Sequence, residues 1–306
     1  MVKGIVTKST GSWYEVLGED GKTYSARLRG KHKIKDIKLT NPIAVGDQVV
    51  CNYENDGRMA IDEIVERTNY VIRKSVKKSS QGHIIAANVD QSVLVVTLKY
   101  PRTSLGFIDR FLVSCESFRI PAIIVFNKQD IMNEEDKVLQ NYLKNIYEKL
   151  GYKCLFTSIQ TQTGISELND ILEGKTTLFS GHSGVGKSSI INLIAPELDQ
   201  KVNTISDFAE KGKHTTTFAE MFKIRPDTFI IDTPGIKELG LIEIEPEEIS
   251  HYFPEMRELL NECKYHNCTH TNEPGCAVKK AVENEEIAEF RYHNYQSMFF
   301  NEDNRA

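Results

Sequence analysis

No apolar run in this chain of 306 residues approaches the roughly 20 residues that a membrane-spanning helix needs. Internal repeats and low-complexity tracts are also missing, which sets aside solenoids and disordered scaffolds. There is no excess of positive charge. With 38 Lys+Arg against 43 Asp+Glu the formal net charge is −5, so any contact with nucleic acid has to come from a local patch. Cysteine is sparse, six in all, and the opening MVKGIV lacks the charged-then-apolar layout of an export signal. Free thiols or metal ligands are therefore expected rather than disulfides, in a cytoplasmic, non-membrane protein that works as a monomer. The rest is ordinary for a globular protein, 40% apolar and 26% charged, and long enough for two or three domains.

What stands out is GHSGVGKSS, Gly181 to Ser189, which fits the spacing G-x-x-x-x-G-K-[ST] of a phosphate-cradling loop. TTLFS before it reads as a strand, and SIINLIA after it has helical periodicity that stops at Pro196. Glycines at 181, 184 and 186 let backbone N–H groups turn inward onto phosphate oxygens. Lys187 would reach the β- and γ-phosphates, Ser188 would ligate Mg²⁺, and the helix N-terminus adds positive potential.

Two further boxes accompany that loop. DTPG, Asp232 to Gly235, ends the predicted strand TFIID; Asp232 suits Mg²⁺ and the Gly235 N–H suits a γ-phosphate. NKQD, Asn127 to Asp130, follows the apolar run PAIIVF. Guanine offers two adjacent donors, N1–H and its amino group, which one carboxylate (Asp130) accepts; adenine has no such pair. Asn127 suits the base edge and the phosphate loop, and the stem of Lys128 can cover the base face. Ser158 in CLFTSIQTQTG would add a backbone contact to guanine O6. The nucleotide set is thus Asn127, Lys128, Gln129, Asp130 and Ser158 with Gly181, His182, Ser183, Gly184, Val185, Gly186, Lys187, Ser188 and Ser189. Among KHTTT, Thr215, Thr216 and Thr217 are all candidates to close over Mg²⁺. Ile236 follows DTPG where many GTPases place a water-orienting glutamine, so His214 is the candidate to serve beside Lys187 and Gly235 in catalysis.

SVLVVTL and PAIIVFN are continuously apolar, the mark of strands buried on both faces of a parallel sheet. With helical stretches between them they predict a doubly wound α/β domain. Ahead of it, five short alternating segments separated by turns predict a small OB-like β-barrel. Arg27, Arg29, Lys31, Lys33, Lys35 and Lys38, against Asp36 alone, form a basic stretch that is either an RNA-binding face or a lysine-protected edge. Trp13 and Tyr14 could stack on a base or sit in the core. The run Asn69–Gln81, with four cations and no acid, reads as a linker or ordered loop. Near the C-terminus Cys263, Cys268, His270 and Cys276 have the spacing C-x4-C-x-H-x5-C of a closed, structural zinc site, with His266 as an alternative ligand. An amphipathic, acidic helix is predicted over 282–300, and fourteen acids against six cations fall within 243–306. The expected domains are 1–68, 69–240 and 241–306.

These boxes are those of a translation-factor-type GTPase in permuted order, since NKQD precedes the phosphate loop and DTPG. With the barrel before them and CKYHNCTHTNEPGC after them, the chain resembles the ribosome small-subunit-dependent GTPase A family (RsgA, also called the YjeQ/YloQ type). That resemblance implies a circularly permuted GTPase that binds the small ribosomal subunit and its rRNA late in assembly. The subunit would stimulate hydrolysis, and hydrolysis would release the factor. The permutation also places the γ-phosphate-responsive region directly before the C-terminal domain, so nucleotide state could be coupled to that domain. Two other readings stay open: an RNA-binding module that holds GTP with negligible turnover, which Ile236 favours, and an ATP-using P-loop enzyme, which NKQD disfavours.

Overall fold

The computed structural model describes residues 1–29, 42–54, 58–74, 82–198, 219–232 and 244–302. Five strands come first: β1 (Val2–Ser9), β2 (Tyr14–Gly18), β3 (Thr23–Leu28), β4 (Gln48–Tyr53) and β5 (Met59–Ile64). They pair in the order β1-β2-β3-β5-β4, and β4 pairs back onto β1, so the sheet closes into the expected OB-like barrel. Alternation drives this closure, because Tyr14 and Val16 on β2 point inward while Glu15 points out. The inner set includes Val6, Ala26, Val49, Cys51, Met59 and Ile61. Each large side chain buried there contributes about 1.5–3 kcal/mol.

A hairpin of β6 (Tyr70–Lys74) and β7 (Gly82–Ala87) follows. The sequence reading expected a linker or loop across Asn69–Gln81. Val71 and Ile72, beside the basic run, are too short an apolar signal to reveal a strand, yet both are buried against partners distant in sequence. Ile72, Ile84 and Ala87 pack with Ala44, and Val45 bridges to Ala86, so the hairpin docks onto the barrel. Arg67 secures the same seam, donating to both oxygens of buried Asp47 at 2.6 Å and to the Pro42 carbonyl at 2.7 Å.

The α/β domain contributes β8 (Gln91–Val96), β9 (Ala122–Phe126), β10 (Lys153–Phe156), β11 (Thr176–Ser180), β12 (Glu220–Arg225) and β13 (Thr228–Asp232). Their order is β10-β9-β8-β11-β13-β12, parallel except for β12. Period-2 alternation divides the apolar runs between the two faces. Leu94, Val96, Ile124 and Phe126 join α1 (Leu105–Ser117) and α2 (Glu134–Lys149). Val93, Val95, Ile123 and Val125 join α3 (Ile165–Leu172) and α4 (Lys187–Ile194). Local chemistry sets the helix ends: Asn133 and Asp136 cap α2 reciprocally at 2.9 and 3.0 Å, and Gly151 leaves it at φ 91°. One residue pair, Lys8 opposite Glu220, joins β1 of the barrel to β12, so barrel and central sheet form a continuous eleven-stranded sheet.

The C-terminal region packs around Phe253, Met256, Val278, Ile287 and Tyr295, together with Val113 of α1. The single helix expected over 282–300 is in fact two, Ala277–Glu283 and Glu289–Phe299. Glu285 turns left-handed at φ 62°, and the Glu286 N–H returns to the Ala281 carbonyl at 2.9 Å. The break separates a run of like charges and lets Ile287 turn into the core. Among the described residues no helix is long and apolar enough to cross a membrane.

Candidate functional site

The carboxyl ends of the parallel strands carry the sequence boxes, as the switch-point rule for open α/β sheets requires. GHSGVGKSS follows β11 and opens α4, whose first residue is Lys187. Two glycines are obligatory there. Gly186 sits at φ 101°, and a Cβ on it would meet Asn127 Nδ2 at 2.3 Å; Gly181 sits at φ 138°, where a Cβ would meet the Val95 carbonyl at 2.3 Å. The Lys187 ammonium donates to the carbonyls of Gly181 (2.6 Å) and His182 (2.9 Å), folding back over the loop that a phosphate would fill. Burial lowers its pKa and the Asp232 carboxylate opposes that effect, which places Asp232, at the end of β13, within electrostatic reach of Lys187. His182 stacks on Phe107 of α1 with ring centroids 3.9 Å apart. Ser183, Gly184, Ser188 and Ser189 face solvent at the mouth, while Val185 anchors the loop in the core.

NKQD is tied to this loop. Fully buried Asn127 donates from Nδ2 to the Val185 carbonyl at 2.8 Å and accepts from the Thr157 hydroxyl at 3.0 Å. Its backbone N–H donates to the Val96 carbonyl at 2.8 Å, which holds the end of β9 against β8. Gln129 is pinned through its backbone N–H to the Thr157 carbonyl at 3.0 Å and through its side chain to the Phe126 carbonyl at 3.2 Å. Asp130 is exposed and accepts from the Ser158 hydroxyl at 2.6 Å. Lys128, left-handed at φ 67°, extends its ammonium to the Tyr100 carbonyl. Thr157 and Tyr100 were not singled out from sequence: Thr157 is a neighbour within CLFTS, and nothing local marks Tyr100.

The second constellation lies 130 residues or more beyond NKQD. Cys263, Cys268, His270 and Cys276 bring their ligand atoms within 4.8 Å of one another. His270 Nδ1 stands 3.6 Å from Cys263 Sγ and 3.4 Å from Cys276 Sγ. A tetrahedral zinc with ordinary Zn–S and Zn–N bonds has N···S edges of about 3.6 Å, so the four residues fit that ion. Burial lowers the His270 pKa, which favours the neutral imidazole a metal needs, and burial pushes the Cys268 thiol up to about 12. His266 is exposed and outside the cluster. Three hydrogen bonds to the Glu273 carboxylate fold the ligand loop: Thr269 N (2.8 Å), Thr269 Oγ1 (2.6 Å) and Thr271 N (3.0 Å). From the last helix, Tyr292 and Tyr295 donate to the His270 and Thr269 carbonyls at 2.6 and 2.5 Å. The remaining cysteines, Cys51, Cys115 and Cys154, are free and buried.

Of the basic stretch, Arg27 is paired with Glu54 (2.7 Å) and Arg29 with Asp62 (3.2 Å) on the barrel surface. Tyr14 belongs to the barrel core, whereas Trp13 is exposed beneath Arg58, whose guanidinium carbon lies 5.6 Å from the ring centroid. Lys31, Lys33, Lys35, Lys38, His214, Thr215, Thr216, Thr217, Gly235 and Ile236 lie outside the described residues.

Comparison with known proteins agrees with this arrangement. The family model described as RsgA GTPase matches residues 64–242, and the one described as RsgA N-terminal domain matches residues 3–61. A protein of Cytophaga hutchinsonii named small ribosomal subunit biogenesis GTPase RsgA is 57% identical over 99% of this chain and 99% of its own. A Bacteroides thetaiotaomicron protein named small ribosomal subunit biogenesis GTPase RsgA 2 is 50% identical over 97% of this chain and 96% of its own. Among solved structures, YjeQ from Thermotoga maritima superposes with a TM-score of 0.78 at 36% identity, covering 100% of this chain and 99% of that one. YloQ, described as a circularly permuted GTPase, gives 0.74 at 34% identity, covering 100% and 96%. By the matched families, these relatives and the permuted GTPase architecture, this chain belongs to the RsgA family of GTP hydrolases.

Proposed function

We propose that this GTPase serves the biogenesis of the small ribosomal subunit: it binds the subunit with GTP, hydrolyses GTP to GDP and phosphate under its stimulation, and leaves on hydrolysis. The observation that carries this reading is a guanine-type recognition box held rigidly against a phosphate loop, in a chain whose relatives are named for that role over nearly their full length. Asp130 accepts the two guanine donors while Ser158 orients it, and Lys128 covers the base face. Lys187 exchanges its two loop carbonyls for phosphate oxygens, a swap that costs little because both are charge-assisted contacts. Ser188 and Asp232, with Thr215 or Thr216, would hold Mg²⁺, which when bound neutralises charge on the β- and γ-phosphates. Gly235 senses the γ-phosphate, and His214 orients the attacking water in place of the absent glutamine.

Arg27 and Arg29 on the barrel, with Lys31, Lys33 and Lys35 that follow them in the chain, are the rRNA-binding residues in this reading. The units are 1–68, 69–240 and 241–306, and the protein acts as a cytoplasmic monomer. The Cys263–Cys268–His270–Cys276 set holds one Zn²⁺ structurally, since four protein ligands leave no open position for water.

The test is GTP turnover at fixed enzyme, alone and with purified small subunits, large subunits or free rRNA. A large rise with small subunits alone is expected. Tight GTP binding without stimulation by any of them would instead favour the GTP-liganded RNA module.

A further inference from the structure

In the central sheet β8 lies between β9 and β11. The base-recognition box follows β9 and the phosphate loop follows β11. A nucleotide reaching from one to the other must pass its ribose over the end of β8, where the segment Thr97–Thr103 emerges. Neighbouring strands are about 4.8 Å apart, so the ends of β9 and β11 stand about 10 Å apart, roughly the length of a nucleoside, although the Asn127 side chain itself reaches across to Val185.

That segment is braced on both sides. The Thr97 carbonyl accepts from the Thr103 N–H at 2.8 Å, and the Thr97 N–H donates to the Thr103 hydroxyl oxygen at 3.2 Å. The Thr97 hydroxyl donates to the Pro101 carbonyl, and Lys99 pairs with Asp136 at the start of α2. Pro101 Cδ comes within 3.5 Å of the position a Cβ on Gly184 would take, so the segment lies beside the phosphate loop. On the other side the Lys128 ammonium reaches the Tyr100 carbonyl, so it touches the base box. Tyr100 sits at the centre of this brace, left-handed at φ 44°, with 79% of its surface exposed. A bulky residue with positive φ is a genuine outlier, and such outliers cluster at ligand clamps.

We infer that Tyr100 forms the outer wall of the nucleoside pocket, its ring closing against the ribose of bound guanine nucleotide and slowing its escape. An aromatic ring covers sugar carbons without needing a fixed hydrogen bond, and it is rigid once its backbone is held. The contact rests on the nucleotide-site reading above and extends it to the sugar, for which neither sequence box supplies a partner.

Radiolabelled GDP is loaded onto the full chain and chased with unlabelled GDP, avoiding any label on the ribose itself. Tyr100→Ala should release GDP about tenfold faster, the scale of one lost stacking contact, and Tyr100→Phe should match the parent chain. The Lys128 bond is to a main-chain oxygen and survives both substitutions. Release from Tyr100→Ala within twofold of the parent, with Asp130→Asn still exchanging guanine for xanthine preference, would overturn the inference and leave the site reading standing. Failure of the parent chain to retain GDP at all would overturn both. Melting of the nucleotide-free variants checks that the exposed ring is not needed for folding, and a Tyr100→Ala chain that melts lower while releasing GDP normally also counts against the role.

Discussion

At the scale of single residues, recognition depends on how side chains are held as much as on which ones are present. Asp130 is exposed, but the Ser158 hydroxyl at 2.6 Å fixes one carboxylate oxygen, so the pair acts as a unit. Asp130→Asn replaces an acceptor with a donor facing guanine's own donors. It should weaken GDP by about a hundredfold or more while xanthosine diphosphate binds better, read by equilibrium competition. Ser158→Ala keeps the carboxylate and loses its orientation, so a smaller loss of about three- to tenfold is expected in the same assay. For hydrolysis, His214→Ala should abolish partner-stimulated turnover with nucleotide affinity intact; unchanged turnover would remove His214 from the mechanism.

At the scale of elements, α1 connects the two constellations. Phe107 in its first turn stacks on His182 of the phosphate loop, and Asp109 two residues on is buried against the C-terminal region. Asp109 accepts from Arg291 at 2.6 Å, Asn294 at 2.6 Å and Tyr147 at 2.8 Å, while Arg291, 1% exposed, also forks onto Glu255 at 2.7 and 3.0 Å. An acid in the apolar stretch LGFIDRFLV was the sequence signal for this lock, but its partner lies 182 residues away and no local pattern names it. Arg291→Met strands two buried carboxylates and should cost about 3–5 kcal/mol, measured by denaturant unfolding of the C-terminal region. The ligand loop depends similarly on Glu273. Partial burial works to raise its pKa, but hydrogen bonds from Thr269 and Thr271 outweigh that and hold it at about 2, below the ordinary 4.5. Because the folded value is depressed, its stabilisation is complete above pH 4.5 and is lost as pH falls toward 2. Glu273→Gln, which loses the charge these donors favour, should therefore loosen the loop and speed zinc release at neutral pH, followed with a chromogenic zinc indicator. Stripping the metal with a chelator should remove amide-exchange protection across 263–276 and leave β8, β9 and β11 protected.

At the scale of the whole molecule, permutation and packing work together. β12 follows the KHTTT segment in the chain, and β1 of the barrel pairs with it, Lys8 reaching Glu220 at 3.3 Å. DTPG in turn precedes the C-terminal region, so barrel and C-terminal region each adjoin an element next to a segment that the proposed mechanism would order around the γ-phosphate. Exchange protection in β1, β12 and residues 244–302 should therefore differ between GDP and a non-hydrolysable GTP analogue, and identical protection would count against coupling. The sequence alone determined the phosphate-loop motif, the NKQD box and the group Cys263, Cys268, His270 and Cys276 that the fold brings together. Each is a short run whose chemistry depends on neighbours in the chain and on backbone freedom at fixed spacings. The apolar runs likewise determined a two-faced sheet, because period-2 alternation assigns faces without knowledge of the partner. Only the tertiary structure decided the β6–β7 hairpin, the broken C-terminal helix, the placing of Tyr100 between two boxes, and the Asp109–Arg291 lock. For the hairpin and the lock the stabilising partner is far away in the chain, and burial against it outweighs what the local residues prefer by themselves.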